Sequence, residues 1–290
     1  MAASNLRDIK RRIRSVTSIE HITNAMKLVS AAKLRRAKAT YERTQEYFHY
    51  VTESIDDIFS NVKGTPDKYI AGSREIKKTC YIPVTSNRGL AGSFNANVIK
   101  ETERLMREDA ERAVLACVGS RGRDYFAKRG YEILMDYHSP PENVAFVETG
   151  DISKPIIARY DSEEIDRIVL VYTSFINSME QRVVTKTLLP FEAKRNPDAV
   201  REVNRQMEYE PSTEEVFNYL VPKYVEIMIY GAIVESATCE HAARRMAMEN
   251  ATDNARGMIS DLGLFYNRAR QAAITKEITE IVSGSEAQKG

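Results

Sequence analysis

Histidine and cysteine are the side chains in this chain that most readily bind metals or act as nucleophiles. The four histidines are spread along the sequence: His21, His49, His138 and His241. The three cysteines are also scattered: Cys80, Cys117 and Cys239. This spacing contains no HxxxH pair, no CxxC pair and no mixed cluster, so it predicts no metal site, no cofactor and no disulfide framework. We expect the cysteines to be reduced and to pack as small apolar side chains.

Two short glycine-containing segments, 86–92 and 119–122, are further candidates for chemistry, because backbone N–H groups in such turns can bind phosphate. Neither segment matches the GxxxxGK[ST] phosphate-binding loop. Segment 119–122 follows a predicted strand, and an ordinary strand-to-helix turn is the simpler interpretation of it. No serine stands in a GxSxG elbow. The residues therefore predict that this chain alone is not an enzyme.

Basic residues are concentrated in the N-terminal segment, where only Asp8 and Glu20 offset them. This basic band consists of Arg7, Lys10, Arg11, Arg12, Arg14, Lys27, Lys33, Arg35, Arg36 and Lys38. A solvated helix face normally mixes both signs, so the band indicates an acidic partner surface. Nucleic acid is the competing partner, but the formal net charge of the chain is only +1 and no nucleic-acid-binding pattern is present. We expect a protein partner and no nucleic acid.

The basic band lies on a segment that no helix breaker interrupts. All nine prolines lie between Pro66 and Pro222, and the first glycine is Gly64. A continuous helix over 1–63 would be about 95 Å long, which is too long for the core of a globular domain. The C-terminal segment, 212–285, shows a similar apolar stripe. Because neither stripe can be buried alone, the two ends are predicted to pair as an antiparallel coiled coil.

The seam of this predicted coiled coil follows apolar residues that alternate at spacings of three and four. In the N-terminal helix the seam comprises Leu6, Ile9, Ile13, Val16, Tyr41, Thr44, Phe48, Val51, Ile55, Ile58 and Val62. Between these stretches the apolar residues stand one position early, at Ile19, Ile22, Met26 and Val29, which predicts a slip of the seam. In the C-terminal helix the seam comprises Leu220, Tyr224, Ile227, Gly231, Val234, Met258, Leu262, Phe265, Ala269, Ala272, Ile274, Ile278 and Ile281.

The middle of the chain, 75–205, has the composition of an α/β domain. Its predicted strands are Thr79–Thr85, Ala113–Val118, Arg167–Ser174 and Val183–Leu189, and its clearest helix is Ala96–Arg107. This alternation favours a Rossmann-like domain inserted between the two terminal helices. No run approaches the roughly 20 apolar residues that a membrane span needs, and residues 1–10 lack the apolar core of a secretion signal. We expect the chain to remain on the cytoplasmic side.

Four segments resemble the gamma subunit of F-type ATP synthases, in the order in which that family carries them. They are IEHITNAMKLVSAAKLRRA at 19–37, SNRGLAGSFN at 86–95, ESATCEHAARRMAMENATDN at 235–254 and YNRARQAAITKEITEIVSG at 266–284. Departures from the family pattern are Asn87 in place of the usual Asp, Thr238 and Cys239 in place of Ala and Ser, and Arg245 in place of an apolar residue. No paired-cysteine insertion occurs near Asp198–Pro211, so the bacterial type is expected rather than the chloroplast type.

The resemblance implies a rotor shaft that performs no catalysis itself. One copy would stand in an α3β3 ring whose β subunits carry the catalytic sites, and the α/β domain would lie near the membrane against the epsilon subunit and the c-ring. Rotation would couple ion flow through the membrane sector to ATP synthesis or hydrolysis in the ring. The chain would associate with the cytoplasmic face of the cell membrane only through the complex. The implied β-subunit contacts are Met26, Lys27, Arg244, Arg270, Gln271 and Thr275. The implied contacts toward epsilon and the c-ring are Arg88, Gly89, Leu90 and Asn95.

The residues themselves leave two other functions open. The chain could be a free-standing coiled-coil adaptor with an α/β binding domain, or an α/β enzyme with helical arms. An adaptor would be stable and monodisperse without a ring, whereas an enzyme would turn over a substrate in isolation.

Overall fold

The computed structural model describes residues 2–61, 66–72, 75–109, 112–138, 144–191 and 212–287. The chain divides into two compact units, one formed by Met1–Ala31 with Arg244–Gly290 and the other by Ala32–Ala243. Two long helices, α1 (Ala2–Asn61) and α5 (Thr213–Ala287), contribute residues to both units. α1 contains neither glycine nor proline, whereas α5 accommodates Pro222 near its start and four glycines further along. Residues 62–63 and 192–205 of the predicted segments lie outside the described residues.

The first unit is an antiparallel pair of helices. The hydroxyl oxygens of Thr23 and Thr252 lie 2.8 Å apart, and Arg256 Nε lies 3.0 Å from Glu20 Oε1. Residue numbers therefore fall along one helix as they rise along the other. The predicted antiparallel pairing of the two ends is confirmed.

The second unit contains a five-stranded sheet with the order β3-β2-β1-β4-β5. The strands are β1 (Thr79–Pro83), β2 (Ala113–Val118), β3 (Ile133–Tyr137), β4 (Arg167–Phe175) and β5 (Gln181–Leu189). β1 to β4 run parallel, and β5 pairs with β4 antiparallel. Since the chain reverses its direction of winding beside β1, this is the strand order of a Rossmann-like sheet, as predicted.

Helices cover both faces of the sheet. On one face lie α2 (Phe94–Glu108) and α3 (Ser120–Ala127), whose Val98, Ile99 and Phe126 pack against β1, β2 and β4. On the other face lie α4 (Gly150–Asp161) and the first part of α5, in a core that includes Ile156 and Val221. Parallel strands buried on both faces read as continuous apolar runs, which is why β1, β2 and β4 were predictable, whereas the antiparallel β5 was predicted from its β-branched residues.

The same long helices also pair within the second unit. The rings of Phe48 and Tyr230 lie 5.8 Å apart, and Thr52 contacts Met228. Predicted seam residues of this unit are buried or half-buried: Tyr41, Thr44, Phe48, Val51, Ile55, Leu220, Tyr224, Ile227 and Val234. Of the predicted seam positions, Tyr41 and Phe48 contact α5 directly, at Glu235 and Tyr230. The side chain of Ile58 and residue Val62 lie outside the described part of the chain.

Candidate partner-contact surfaces

The seam of the first unit does not slip, which corrects the prediction made from its apolar residues. On α1 the side chains that face α5 are buried or half-buried and keep the original spacing: Ile9, Ile13, Val16, Glu20, Thr23, Lys27 and Ser30. On α5 the corresponding residues are Met248, Thr252, Ala255, Ile259, Leu262, Tyr266, Ala269 and Ala273. Small and polar side chains let the two backbones approach closely while Thr–Thr and Glu–Arg contacts satisfy the polar groups.

Apolar side chains of the first unit point outward instead. On α1, Ile19 is 49% exposed, Ile22 is 60% exposed and Val29 is 57% exposed, with Met26 half-buried between them. We name these four residues the outer stripe. On α5 the exposed large apolar residues are Met258, Leu264, Phe265, Ile274, Ile278, Ile281 and Val282. The predicted seam positions Met258, Phe265, Ala272, Ile274, Ile278 and Ile281 were thus wrong, and contiguous exposed apolar surface of this kind is typical of a contact with another protein.

The residues implied as β-subunit contacts all lie in this helix pair, but at separate levels. Met26 and Lys27 are half-buried, whereas Arg270, Gln271 and Thr275 are exposed. Since Thr23 faces Thr252 and a helix rises about 1.5 Å per residue, Arg270 stands about 30 Å along the pair from the level of Met26. The structure therefore does not bring these residues into one site.

Arg244 is placed differently from the other residues of that set. Only 8% of its surface is exposed, and it makes contacts within the chain. The structure thus places Arg244 among contacts within the chain rather than on an exposed surface. The basic band is the reverse case, since all its members except Lys27 and Lys33 are exposed.

The segment implied to face epsilon and the c-ring is the loop between β1 and α2. Asn95 closes this loop, because its Oδ1 accepts from Ser86 N at 2.9 Å and its Nδ2 donates to Ser86 Oγ at 2.8 Å. Leu90 has a φ of 62° and is 61% exposed, and Arg88 is exposed. Asn95 thus shapes the loop, and Arg88 and Leu90 are two of the side chains that the loop presents to solvent.

The loop borders a groove of about 870 Å³ between α2 and α3. Its walls include Leu90, Lys100, Arg121, Tyr125 and Lys128. Basic side chains predominate at its rim, since the groove's Asp124 and Glu103 are paired with Arg123 and with Arg107 and Arg129. The groove is broad and open, so it is suited to a contact with a macromolecule rather than to an enclosed small ligand.

Asn87, a departure from the family pattern, joins two strand ends. Its Oδ1 accepts from Ser120 N at 2.8 Å, at the beginning of α3, and its Nδ2 donates to the His138 carbonyl at 2.7 Å. A carboxylate could accept the first bond but could not donate the second. The turn at 119–122 is the strand-to-helix turn that was predicted, because α3 begins at Ser120.

The described cysteines are free and buried, and burial raises the pKa of Cys80 and of Cys117 to about 12. They therefore remain thiols, as expected. In the described ranges there is no group of three or more His, Cys, Asp or Glu residues placed to hold a metal ion. None of the described helices combines the length and apolar content that crossing a bilayer requires.

Comparison with known proteins supports the resemblance over the full chain. The model of the ATP synthase family matches residues 5–288. The ATP synthase gamma chain of Alkaliphilus metalliredigens is 47% identical over 287 residues, which cover 98% of this chain and 99% of that protein. The gamma chain of Moorella thermoacetica is 40% identical over 286 residues, covering 99% of this chain and 100% of the relative.

Among solved structures, the central stalk and c-ring of the Tetrahymena thermophila mitochondrial ATP synthase contains a chain that is 26% identical. The match has a TM-score of 0.64 and covers 79% of this chain and 99% of that one. A chain of the Euglena gracilis mitochondrial ATP synthase shares the fold at 18% identity, with a TM-score of 0.74 over 99% of this chain and 95% of that one. The full-length family match and the identity to bacterial relatives place this chain in the ATP synthase gamma chain family.

Proposed function

We propose that this chain is the central-stalk rotor subunit of an ATP synthase. Its rotation would couple ion flow through the membrane sector to ATP synthesis or hydrolysis. The observation that carries the proposal from the structure is the helix pair of the first unit, whose seam is partly polar while Ile19, Ile22 and Val29 lie outside. Such a pair is suited to a surrounding protein collar, because the collar would bury the apolar side chains that the pair leaves exposed.

The collar is the α3β3 ring, which holds one copy of this chain. An asymmetric shaft contacts each catalytic subunit differently, so it favours a different conformation and nucleotide affinity in each one. Rotation exchanges these preferences among the subunits. The catalytic sites lie on the β subunits, and this chain contributes contacts rather than bond chemistry.

We assign the β-subunit contacts to two levels of the helix pair. Met26 and Lys27 form the first level and belong to the outer stripe or lie directly beside it. Arg270, Gln271 and Thr275 form the second level, where all three side chains are exposed. Arg244 supports the helix near the first level from a buried position. Exposed ion pairs contribute only about 0 to 1 kcal/mol each, so torque passes through many packing contacts rather than one charge pair.

The second unit is proposed to face the epsilon subunit and the c-ring. Arg88, Gly89 and Leu90 belong to the loop that would make this contact, with Leu90 as an exposed apolar residue, and Asn95 holds the loop from the start of α2. We divide the functional chain into an N-terminal coiled-coil helix (1–63), a central α/β domain (75–205) and a C-terminal coiled-coil helix (212–285). The complex would hold the chain peripherally at the cytoplasmic face of the cell membrane.

Co-expression with the α and β subunits tests the proposal. We expect one copy of the chain per α3β3 ring and cooperative ATP hydrolysis that exceeds that of a ring prepared without it. A chain that purifies alone as a stable, monodisperse protein, with a ring whose hydrolysis it does not change, would overturn the rotor assignment and favour the adaptor.

A further inference from the structure

Strand β4 extends beyond its neighbour β1 at the carboxyl edge of the sheet. β1 pairs with β4 only as far as Pro83 opposite Val171, and Val84 N then donates to Val171 O at 2.9 Å. Backbone groups of alternate residues in a strand point to the same side. The N–H groups of Thr173 and Phe175 therefore point, like the backbone groups of Val171, toward the side on which β1 lies. On that side β1 has already ended, and buried backbone groups need other partners.

Side chains of α5 take the place of the missing strand. Thr173 N donates to Ser236 Oγ at 3.3 Å, and Cys239 Sγ donates to Thr173 O at 3.4 Å. Two residues further along β4, Phe175 N donates to Glu235 Oε1 at 2.8 Å. Three side chains on one helix face therefore continue the hydrogen bonding of the sheet.

Glu235 collects more donors than this single backbone group. Ser174 Oγ donates to the same carboxylate oxygen at 2.7 Å, and Tyr41 OH of α1 donates to it at 3.4 Å. The rings of Tyr41 and Phe175 also meet edge to face, with centroids 6.0 Å apart. Burial, together with the negative charge of Glu235, raises the pKa of the nearby Tyr172 to about 12. A single half-buried carboxylate thus links β4, α1 and α5.

We propose that Glu235 is a positioning residue that fixes the carboxyl end of β4 to α1 and α5, so that the sheet of the second unit rotates together with these helices. This inference rests on the proposed rotor function. Helix α5 and the sheet also share an apolar core, which includes Ile82, Leu170 and Ile233. Apolar contacts oppose separation but are not directional, whereas hydrogen bonds fix the rotation of the strand end about the helix.

Hydrogen exchange and ion pumping test the two halves of the proposal in the full chain. In Glu235→Ala we expect the Phe175 amide to exchange roughly ten- to a hundredfold faster, because a hydrogen bond to a charged group is lost. In the reconstituted ATP synthase, the same variant is expected to assemble and hydrolyse ATP while pumping fewer ions per ATP. Glu235→Gln keeps an acceptor oxygen at the same place, so it should restore most of both properties.

Glu215→Ala is the matched control, because it removes an exposed glutamate near the start of the same helix. It should change neither measurement. An unchanged exchange rate of the Phe175 amide in Glu235→Ala would contradict the proposal that Glu235 joins the end of β4 to α1 and α5, which we call the Glu235 joint. Faster exchange together with normal ion pumping would contradict the proposal that this joint contributes to coupling. If Glu235→Ala does not fold, Glu235→Met, which keeps a similar side-chain length but has no acceptor oxygen, provides the comparison with Glu235→Gln at the Phe175 amide. A wild-type chain that fails to join the α3β3 ring would instead overturn the proposed function, while the exchange measurement would still decide whether the joint exists.

Discussion

The hydroxyl of Thr252 lies 2.8 Å from the hydroxyl of Thr23, across the seam of the helix pair. Both threonines are buried, and Thr23 donates to Glu20 O, which leaves its oxygen able to accept from Thr252. Because a hydroxyl has only one proton, Thr252 shares that proton between Thr23 Oγ1 and Met248 O. At this level the two helices are therefore joined by a hydrogen bond between polar side chains rather than by knobs-into-holes packing of apolar side chains.

This contact should appear as coupling in a double-mutant cycle. Thr23→Val and Thr252→Val are each expected to lower the free energy of unfolding by about 0.5 to 1.5 kcal/mol. The double variant should lose clearly less than the sum, since the shared interaction is removed once. Urea unfolding of the chain measures all three values. Thr23→Val combined with the distant Thr279→Val serves as the control and should be additive, and additivity in the Thr23–Thr252 pair would contradict the contact.

The outer stripe predicts a separation between stability and assembly. Ile22 is 60% exposed, so Ile22→Gln should change the free energy of unfolding by no more than about 0.5 kcal/mol. Association with the α3β3 ring should weaken, because the ring would lose apolar surface to bury. Ile9→Gln is the matched variant at a seam position that is 5% exposed, and it should destabilise the chain by about 2 kcal/mol or more. Equal destabilisation by the two variants would mean that Ile22 is buried against α5 like Ile9, as the prediction of a slipped seam required.

The difference between the two seams shows what hydrophobic periodicity reports. Ile19, Ile22 and Val29 have the spacing of a buried stripe, and that spacing predicted burial against α5. Hydrophobic periodicity indicates that a helix face is buried but not what buries it. A stripe that contacts another protein therefore has the same pattern as one that packs against a helix of its own chain. Glu20 and Thr23 at the regular heptad positions were the available signal, because small or paired polar side chains fit a close helix contact.

The sheet was predictable where burial on both faces makes strands continuously apolar. β3 was missed because Ile133–Tyr137 is a short edge strand that includes Asp136 and is only half-buried elsewhere. The Glu235 joint could not be predicted, because it depends on β4 extending beyond the end of β1 and on which face of α5 lies beside the end of β4. These are properties of three-dimensional register, which residue types alone do not specify.

Asp109 predicts a pH dependence of stability. Burial pushes its pKa upward, but hydrogen bonds from Tyr81, at 2.6 Å, and from Arg167 outweigh burial and hold the pKa below its ordinary value. A lowered folded-state pKa stabilises the chain above the unfolded value of about 3.9, and this stability is lost as the pH falls through the folded value. Asp109→Asn should therefore cost about 1 to 3 kcal/mol at pH 7 and progressively less below pH ~4. Thermal unfolding across this range measures the difference, and a cost that does not change with pH would contradict the assignment.

The contacts of Asn87 predict how the free energy of unfolding ranks when position 87 is asparagine, aspartate or alanine. Asn87→Ala loses the acceptor at the start of α3, which should cost about 0.5 to 2 kcal/mol. Asn87→Asp keeps that acceptor and places a negative charge at a helix N-terminus, a gain of about 0.3 to 1 kcal/mol, but it loses the donor to the His138 carbonyl. The aspartate should therefore be more stable than alanine and close to the wild type. Urea unfolding at neutral pH ranks the three, and an aspartate no better than alanine would show that the cap contributes little.

Two glycines should respond to alanine with opposite signs. Gly119 has a φ of 90°, and an added Cβ would lie 2.1 Å from the Thr85 carbonyl oxygen, so Gly119→Ala should destabilise the chain by about 2 kcal/mol or more. Gly231 lies inside α5, where an added Cβ would lie 3.6 Å from the Phe48 ring in ordinary contact. Gly231→Ala should stabilise the chain by about 0.5 to 1 kcal/mol, because alanine favours the helix and restricts the unfolded chain. Thermal unfolding of both variants checks the pair, and destabilisation by Gly231→Ala would mean that α1 and α5 approach each other there more closely than the 3.6 Å contact indicates.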